Sequence, residues 1–181
     1  MSGTVQTELT TFDEFMQLPD PASGHLELHH GQVVIVPPRK QSHARIQHIL
    51  FRILLPLTEG NGFVNTEFPF RVPSNEAWQA DVGYVREERS GPLGRDIPDP
   101  YLVGSPDLVI EVLSPSNTMD EINDKVDLCM ANGCSCFWII DPKRKTVSVF
   151  DGDVTRQYRT PMAIPLPAPL VGEILVSQIF A

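Results

Sequence analysis

Three residues in this sequence are of types and in places that could do chemistry. Glu111 lies at the centre of the apolar run LVIEVL. A carboxylate buried without a partner is costly, so such groups are paired, hydrogen-bonded or bound to a metal. Asp81 has the same character within QADVGYV. Neighbouring strands lie ~4.8 Å apart, so carboxylates on adjacent strands can share one cation. The third residue is Lys125. Ile122, Lys125, Val126 and Cys129 fall on one helical face by i+3 and i+4 spacing, which sets the lysine in or beside a stripe packed on a sheet. Alone it reads as a lysine laying its methylenes along the core. Beside two strand carboxylates, an amine that orients or deprotonates a water competes with that reading. Asp107 shares the face of Glu111 by parity, but four strand steps of ~3.3 Å separate their Cα atoms by ~13 Å. That distance favours Asp81 with Glu111 and leaves Asp107 at the rim.

The elements that must position these groups are legible in outline. Thr11 to Glu14 (TFDE) fits a capping box that starts a helix. HLELHHGQVVIV reads as a hairpin, with a strand through Glu27, a turn at His30-Gly31 and a strand from Gln32 to Val36. Ser42 is the expected N-cap of a helix to about Leu55, with Ile46, Ile49, Leu50, Ile53 and Leu54 on one side. Phe63 to Val72, interrupted by Pro69, and Trp78 to Val85 are strands. In the second, Trp78, Ala80, Val82 and Tyr84 alternate against Gln79, Asp81 and Gly83. Arg86 to Gly104 reads as a long loop, of the length that is often functional or mobile.

Asp107 to Leu113 suits a central strand buried on both faces. Thr118 to Glu121 is a second capping box, and Asn132-Gly133 is a helix stop. Phe137 to Asp141 is another buried strand, and residues 142–145 turn into Thr146 to Phe150. Strand, helix, strand in this span argues for an α/β fold with a mixed sheet. The proline-rich tail before GEILVSQIF reads as a covering segment ending in a short strand or helix.

At 181 residues the chain suits a single domain, 1–181, with a substantial core. Its 14 basic residues against 23 acidic give a net charge of −9. The acidic sum lowers the expectation of a nucleic-acid partner without excluding one, since carboxylates can hold a cation that bridges to phosphate. No apolar run approaches the ~18 residues of a membrane span, and MSGTVQTELT has no signal-peptide pattern, so a cytoplasmic location is expected. Cys129, Cys134 and Cys136 are too few and too bunched for a disulfide framework. They read as small buried side chains of a helix and the strand after it.

The run GSPDLVIEVLSPSNT, then Lys125, then FWIIDP, with QADVGYV upstream, resembles the Uma-two family, described as endonucleases. That family is a bacterial branch of the PD-(D/E)XK, restriction-endonuclease-like superfamily. HLELHHGQVVIVPP and SHARIQHIL also match its opening pattern, so the resemblance spans about Thr11 to Phe180. It implies a restriction-endonuclease-like core, a central mixed β-sheet flanked by helices with an N-terminal β-hairpin extension. It also implies a site for Mg²⁺ or Mn²⁺ that hydrolyses phosphodiesters.

By position, Asp81 matches the first acidic residue of the superfamily motif and Glu111 the second. The motif's lysine would be residue 113, which is Leu113. The family resemblance supplies it from the next helix, at Lys125. Glu27 matches an acidic position of the hairpin, as an additional ligand or a structural cap. His43 matches a histidine near a helix start, where it is equally a cap or surface residue. The chain departs from the family around Cys129 and Cys134-Ser135-Cys136, changes that touch packing more than the site.

The expected activity is therefore that of a metal-dependent endonuclease acting on nucleic acid, with DNA the expected substrate. Asp81 and Glu111 would hold the cation, Lys125 would position water, and Glu27 and His43 would support them. A homodimer is expected, because cutting both strands takes two sites. Two rivals stand beside this reading. One is a degenerate nuclease fold serving as a binding or assembly module. The other is a structural ion pair of Glu111 with Lys125.

Overall fold

The computed structural model describes residues 9–181 apart from Ser74, Asp99 and Ser116. The residues from which the lack of a signal pattern was read therefore lie mostly outside the described residues. Thr11 caps α1 (Phe12–Phe15) through the expected capping box. The hairpin follows as β1 (His25–His29) and β2 (Gln32–Val36), with His30 and Gly31 both at positive φ in the turn. Helix α2 spans Gln41–Leu54. Its N-cap is Lys40 rather than Ser42, and no side chain caps it.

Strands β3 (Gly62–Val72) and β4 (Glu76–Arg86) form a long antiparallel pair. Pro69 does not interrupt β3, where it pairs with Gln79. Among the described residues the outer side of β3 pairs with just the two residues of β5 (Leu102–Val103), and a strand near an edge tolerates a residue without an N–H. The expected loop from Arg86 to Gly104 is partly ordered into α3 (Glu87–Ser90), a 3₁₀ turn at Pro92–Gly94 and β5.

The expected strand–helix–strand unit is present as β6 (Leu108–Val112), α4 (Met119–Ala131) and β7 (Cys136–Asp141). Strands β6 and β7 run parallel, and Thr118 and Glu121 form the capping box of α4. Strands β8 (Thr146–Asp151) and β9 (Val154–Arg159) extend the sheet as a hairpin. The tail forms β10 (Ala163–Pro165), β11 (Glu173–Leu175) and α5 (Val176–Ile179).

The result is a nine-stranded mixed sheet in the order β2-β1-β4-β6-β7-β8-β9, with β3 on β4 and β5 on β3. Helices cover both faces. On one, Ile46, Leu50 and Leu54 of α2 pack with Val82, Ile110 and Trp138. On the other, Ile122, Val126 and Cys129 of α4 pack with Ala80, Val109 and Phe137. Both faces of β6 are largely buried, which explains an apolar run interrupted only at Glu111. Cys129, Cys134 and Cys136 are free and buried, and burial pushes the Cys136 thiol up to about 11.

The expected alternation along β4 breaks at one place. Trp78 and Ala80 face α4, whereas Val82 and Tyr84 face α2. The ladder pairs Thr66 with Val82 and Phe68 with Ala80, and Glu67 between them has φ +50°. A left-handed residue within a strand re-aims the side chains that follow. The switch of faces occurs at Asp81.

Candidate active site

Strand β3 pairs along the whole of β4, so β1 and β6 share its other edge. Strand β1 meets that edge at Leu28 opposite Ala77, and β6 meets it from Val82 to Tyr84. Between them the sheet forks, leaving residues 78–81 of β4 without a ladder partner on that edge. Buried backbone groups must find partners. Here carboxylates supply them: the Gln79 N–H donates to Glu27 Oε1 at 3.1 Å, and the Val112 N–H to Asp81 Oδ2 at 2.7 Å. The register Val82 to Ile110, continued by one residue, sets Asp81 opposite Glu111. The fork therefore gathers Glu27, Asp81 and Glu111 from three strands.

Asp81 is the most heavily hydrogen-bonded of the three. Its Oδ1 accepts from Gln47 Nε2 at 2.9 Å and Arg39 Nε at 3.0 Å, and His43 Nε2 stands 2.9 Å away. Burial pushes its carboxyl upward. The hydrogen bond and charge of His43, the Arg39 charge and the Val112 N–H outweigh burial, and the group is held below the usual carboxylate range. His43 and Gln47 are one turn apart on α2, so that helix delivers both to the same carboxylate.

Glu111 is the converse case. Its side chain is 12% exposed, and its cation is Lys125, with Nζ 3.8 Å from Oε1. Burial is the largest influence on it; the Lys125 charge opposes burial while Asp81 and Glu27 reinforce it, and the carboxyl is pushed up to about 8. Lys125 also lies 5.3 Å from the centroid of the Trp78 ring. Burial would discharge the amine, but the carboxylates of Glu111, Glu27 and Asp81 outweigh it and hold the ammonium above its ordinary range. Lys125 is thus a fixed cation here rather than a ready base.

Glu27 receives His29 Nε2 at 2.8 Å and His25 Nε2 at 3.2 Å, besides the Gln79 N–H. Burial raises its carboxyl, but the Lys125 charge and the two imidazoles outweigh burial and keep it well below the usual range. Asp107 stands apart, just before β6. It accepts from the Arg86 N–H at 3.0 Å, Arg86 Nε at 2.6 Å and Arg89 Nη1 at 3.1 Å. Those bonds tie it to the far end of β4.

The structure thus brings Asp81, Glu111, Lys125, Glu27 and His43 into one cluster and sets Asp107 outside it. Arg39, Gln47, Trp78, His25 and His29 join the cluster without having been picked from sequence. Gln47 offered a signal, a polar residue beside Ile46 on the apolar side of α2. Arg39 offered none, because it precedes the helix.

A divalent cation fits the pair Asp81–Glu111 by the chemistry of its donors. Both are hard oxygen ligands, and the undercompensated charge of Glu111 is what a cation would offset. Among the described residues no three His, Cys, Asp or Glu side chains form a group able to hold a metal by themselves. A cation at the pair would complete its shell with water and substrate oxygens, as Mg²⁺ commonly does.

Residues 12–178 match the Uma2 family, described as "putative restriction endonuclease". The chain belongs to the Uma2 family. A solved structure agrees with the Uma2 fold: a putative nuclease belonging to DUF820 from Anabaena variabilis ATCC 29413. It superposes with a TM-score of 0.81 at 22% identity, covering 94% of this chain and 97% of that one. At that identity the likeness concerns the fold, a restriction-endonuclease-like mixed sheet flanked by helices. No curated protein matches this Uma2 chain. Among its described residues no helix is long and apolar enough to cross a membrane.

Proposed function

We propose that this protein hydrolyses phosphodiester bonds in nucleic acid, with DNA as substrate and Mg²⁺ or Mn²⁺ as cofactor. The observation that carries the reading is Glu111: a carboxylate inside the sheet, opposite Asp81, with its charge only partly met by Lys125 at 3.8 Å. Asp81 and Glu111 would hold the cation, which when bound lowers the pKa of a water and offsets charge on the phosphate oxygens. Lys125, charged and anchored against Trp78, binds a phosphate oxygen and steadies the negative charge that builds in the transition state. Arg39, His43 and Gln47 fix the orientation of the Asp81 carboxylate. Glu27 holds Lys125 electrostatically from the β1 side. A homodimer would supply two such sites for a duplex.

The test is cleavage of plasmid, single-stranded DNA and RNA with Mg²⁺ or Mn²⁺ by the wild type and by Asp81→Asn, Glu111→Gln and Lys125→Met. The wild type should cut and the three variants should not. Undiminished cutting by all three would contradict the assignment.

One observation favours a second reading, a catalytically silent binding or assembly module. Arg39 Nε occupies Asp81 Oδ1 at 3.0 Å, supplying a built-in cation where a metal ligand would otherwise be free. Calorimetric titration with Mn²⁺ separates the two, because the silent module has no use for the metal.

A further inference from the structure

One turn at an end of the sheet carries a run of exposed cations. Strands β6 and β7 run parallel with Glu111 opposite Ile139, so both deliver their C-terminal ends to the same side. The turn that follows β7 there carries Lys143, Arg144 and Lys145 in succession, all exposed. Strand β9 returns to the same end, with exposed Arg159 opposite Thr146. The β8–β9 turn at the other end carries Asp151 and Asp153 instead.

Three successive cations are a notable concentration in a chain with 14 basic residues and a net charge of −9. The turn is also held in shape. Asp141 Oδ1 accepts from the N–H groups of Lys143 and Arg144, both at 2.9 Å, and its Oδ2 meets Arg144 Nη1 at 3.1 Å. Arg144 remains 77% exposed in that contact. Among the described residues Lys143, Lys145 and Arg159 form no ion pair. Of the eight other arginines, Arg39, Arg86 and Arg89 are in ion pairs, Arg71 lies over the Phe12 ring and Arg45 donates to the Ala181 carbonyl. Asp120 and Glu121 open α4 at this end too, but Glu121 is turned back into its capping box.

The spacing suits a polyanion that also reaches the fork. The turn begins at Pro142, three residues beyond Ile139, so at ~3.3 Å per residue and one to two strand spacings of ~4.8 Å it lies on the order of 10 Å from Glu111. Phosphates of one DNA strand follow at ~3.4 Å along the axis, so about three nucleotides span that distance.

We propose that Lys143, Arg144, Lys145 and Arg159 form a phosphate-binding strip that holds the nucleic-acid backbone beside the fork. The inference rests on the nuclease reading and names the surface that grips its substrate. Contacts to phosphate position a nucleic acid without reading its sequence.

Fluorescence anisotropy of a labelled duplex in EDTA, over a series of salt concentrations, tests it. The comparison is between wild type and the triple variant Lys143→Gln, Arg144→Gln, Lys145→Asn. Asparagine is chosen for Lys145, at φ +53°, because it tolerates the left-handed region. Arg52→Gln with Arg95→Gln serves as a control that removes exposed cations elsewhere. Each neutralised phosphate contributes ~0.9 to the slope of log K against log salt. The triple variant should therefore lose about 2–3 from that slope and bind more weakly, while the control keeps most of the wild-type slope. An unchanged slope in the triple variant, or a wild type that does not bind nucleic acid, overturns the proposal. Cleavage and Mn²⁺ titration of the same proteins judge the nuclease reading separately. A wild type that cuts, beside a triple variant of unchanged slope, leaves the reading standing and removes the strip. Binding through the turn without metal or cutting does the reverse.

Discussion

Lys125 Nζ stands 3.8 Å from Glu111 Oε1, within salt-bridge reach and beyond hydrogen-bonding distance. The two charges therefore attract without satisfying each other's donors and acceptors. Asp81, on the neighbouring strand, is oriented by protein donors, with Arg39 and Gln47 on Oδ1 and the single Val112 N–H on Oδ2, so Oδ2 keeps an acceptor position for a cation. One carboxylate is built to stay charged and rigid, and the other to take up a cation or a proton.

Without metal, Glu111 should make the protein less stable as pH rises. Its folded carboxyl titrates at about 8 against an ordinary value of 4.5. Between those values the folded state binds a proton that the unfolded chain has released, so stability is lost on going up through that window. Glu111→Gln removes the titration. In urea denaturation with EDTA, wild type should lose on the order of 3 kcal/mol relative to the variant between about pH 5 and about pH 8. Parallel pH profiles would show that Glu111 is not perturbed.

Truncating Asp81 should cost stability as well as function. Asp81→Ala leaves the Val112 N–H and Arg39 Nε without their acceptor and Gln47 Nε2 with only the backbone carbonyl of residue 81, a loss of about 3 kcal/mol. Asp81→Asn keeps an acceptor oxygen and should cost less than half of that. Denaturation midpoints of the two variants check the order, and an Asp81→Ala protein as stable as wild type would refute the network.

Lys125→Met should separate chemistry from metal binding. The thioether preserves the packing along α4 but removes the charge. Single-turnover cleavage should fall by ~10²-fold or more, in the range of a lost transition-state contact. Mn²⁺ should bind at least as tightly, because a competing cation 3.8 Å from Glu111 is gone. Loss of Mn²⁺ binding in this variant would mean that Lys125 organises the site instead.

Much of the framework was legible because its signals are local. The capping box at Thr118–Glu121 marks α4, and nearly continuous apolar runs mark β6 and β7 as strands buried on both sides. Glu111 stood out for the same reason, as a charge inside such a run. Strand β9 (VTRQYR) was not read, because it is mostly exposed and carries no apolar stripe beyond Tyr158. The face switch at Asp81 was also hidden. It follows from the left-handed Glu67 on the partner strand, and an ordinary residue at positive φ gives no warning in sequence. The fork depends on how β1 and β6 divide one edge of β4, a relation among distant segments. Glu27, His43 and Asp81 could be suspected singly, but Arg39 and Gln47 could not be tied to Asp81 before the fold was known.

The most direct test of the site is the melting temperature of wild type and Glu111→Ala in EDTA, Mg²⁺ and Mn²⁺. A cation that binds only the folded state at a hundredfold excess over its Kd adds ~2.7 kcal/mol of stability. Wild type should therefore melt several degrees higher with Mn²⁺ than with EDTA, and Glu111→Ala should show no rise. A wild type whose melting is indifferent to both metals would contradict the account and leave Glu111 and Lys125 as a structural ion pair.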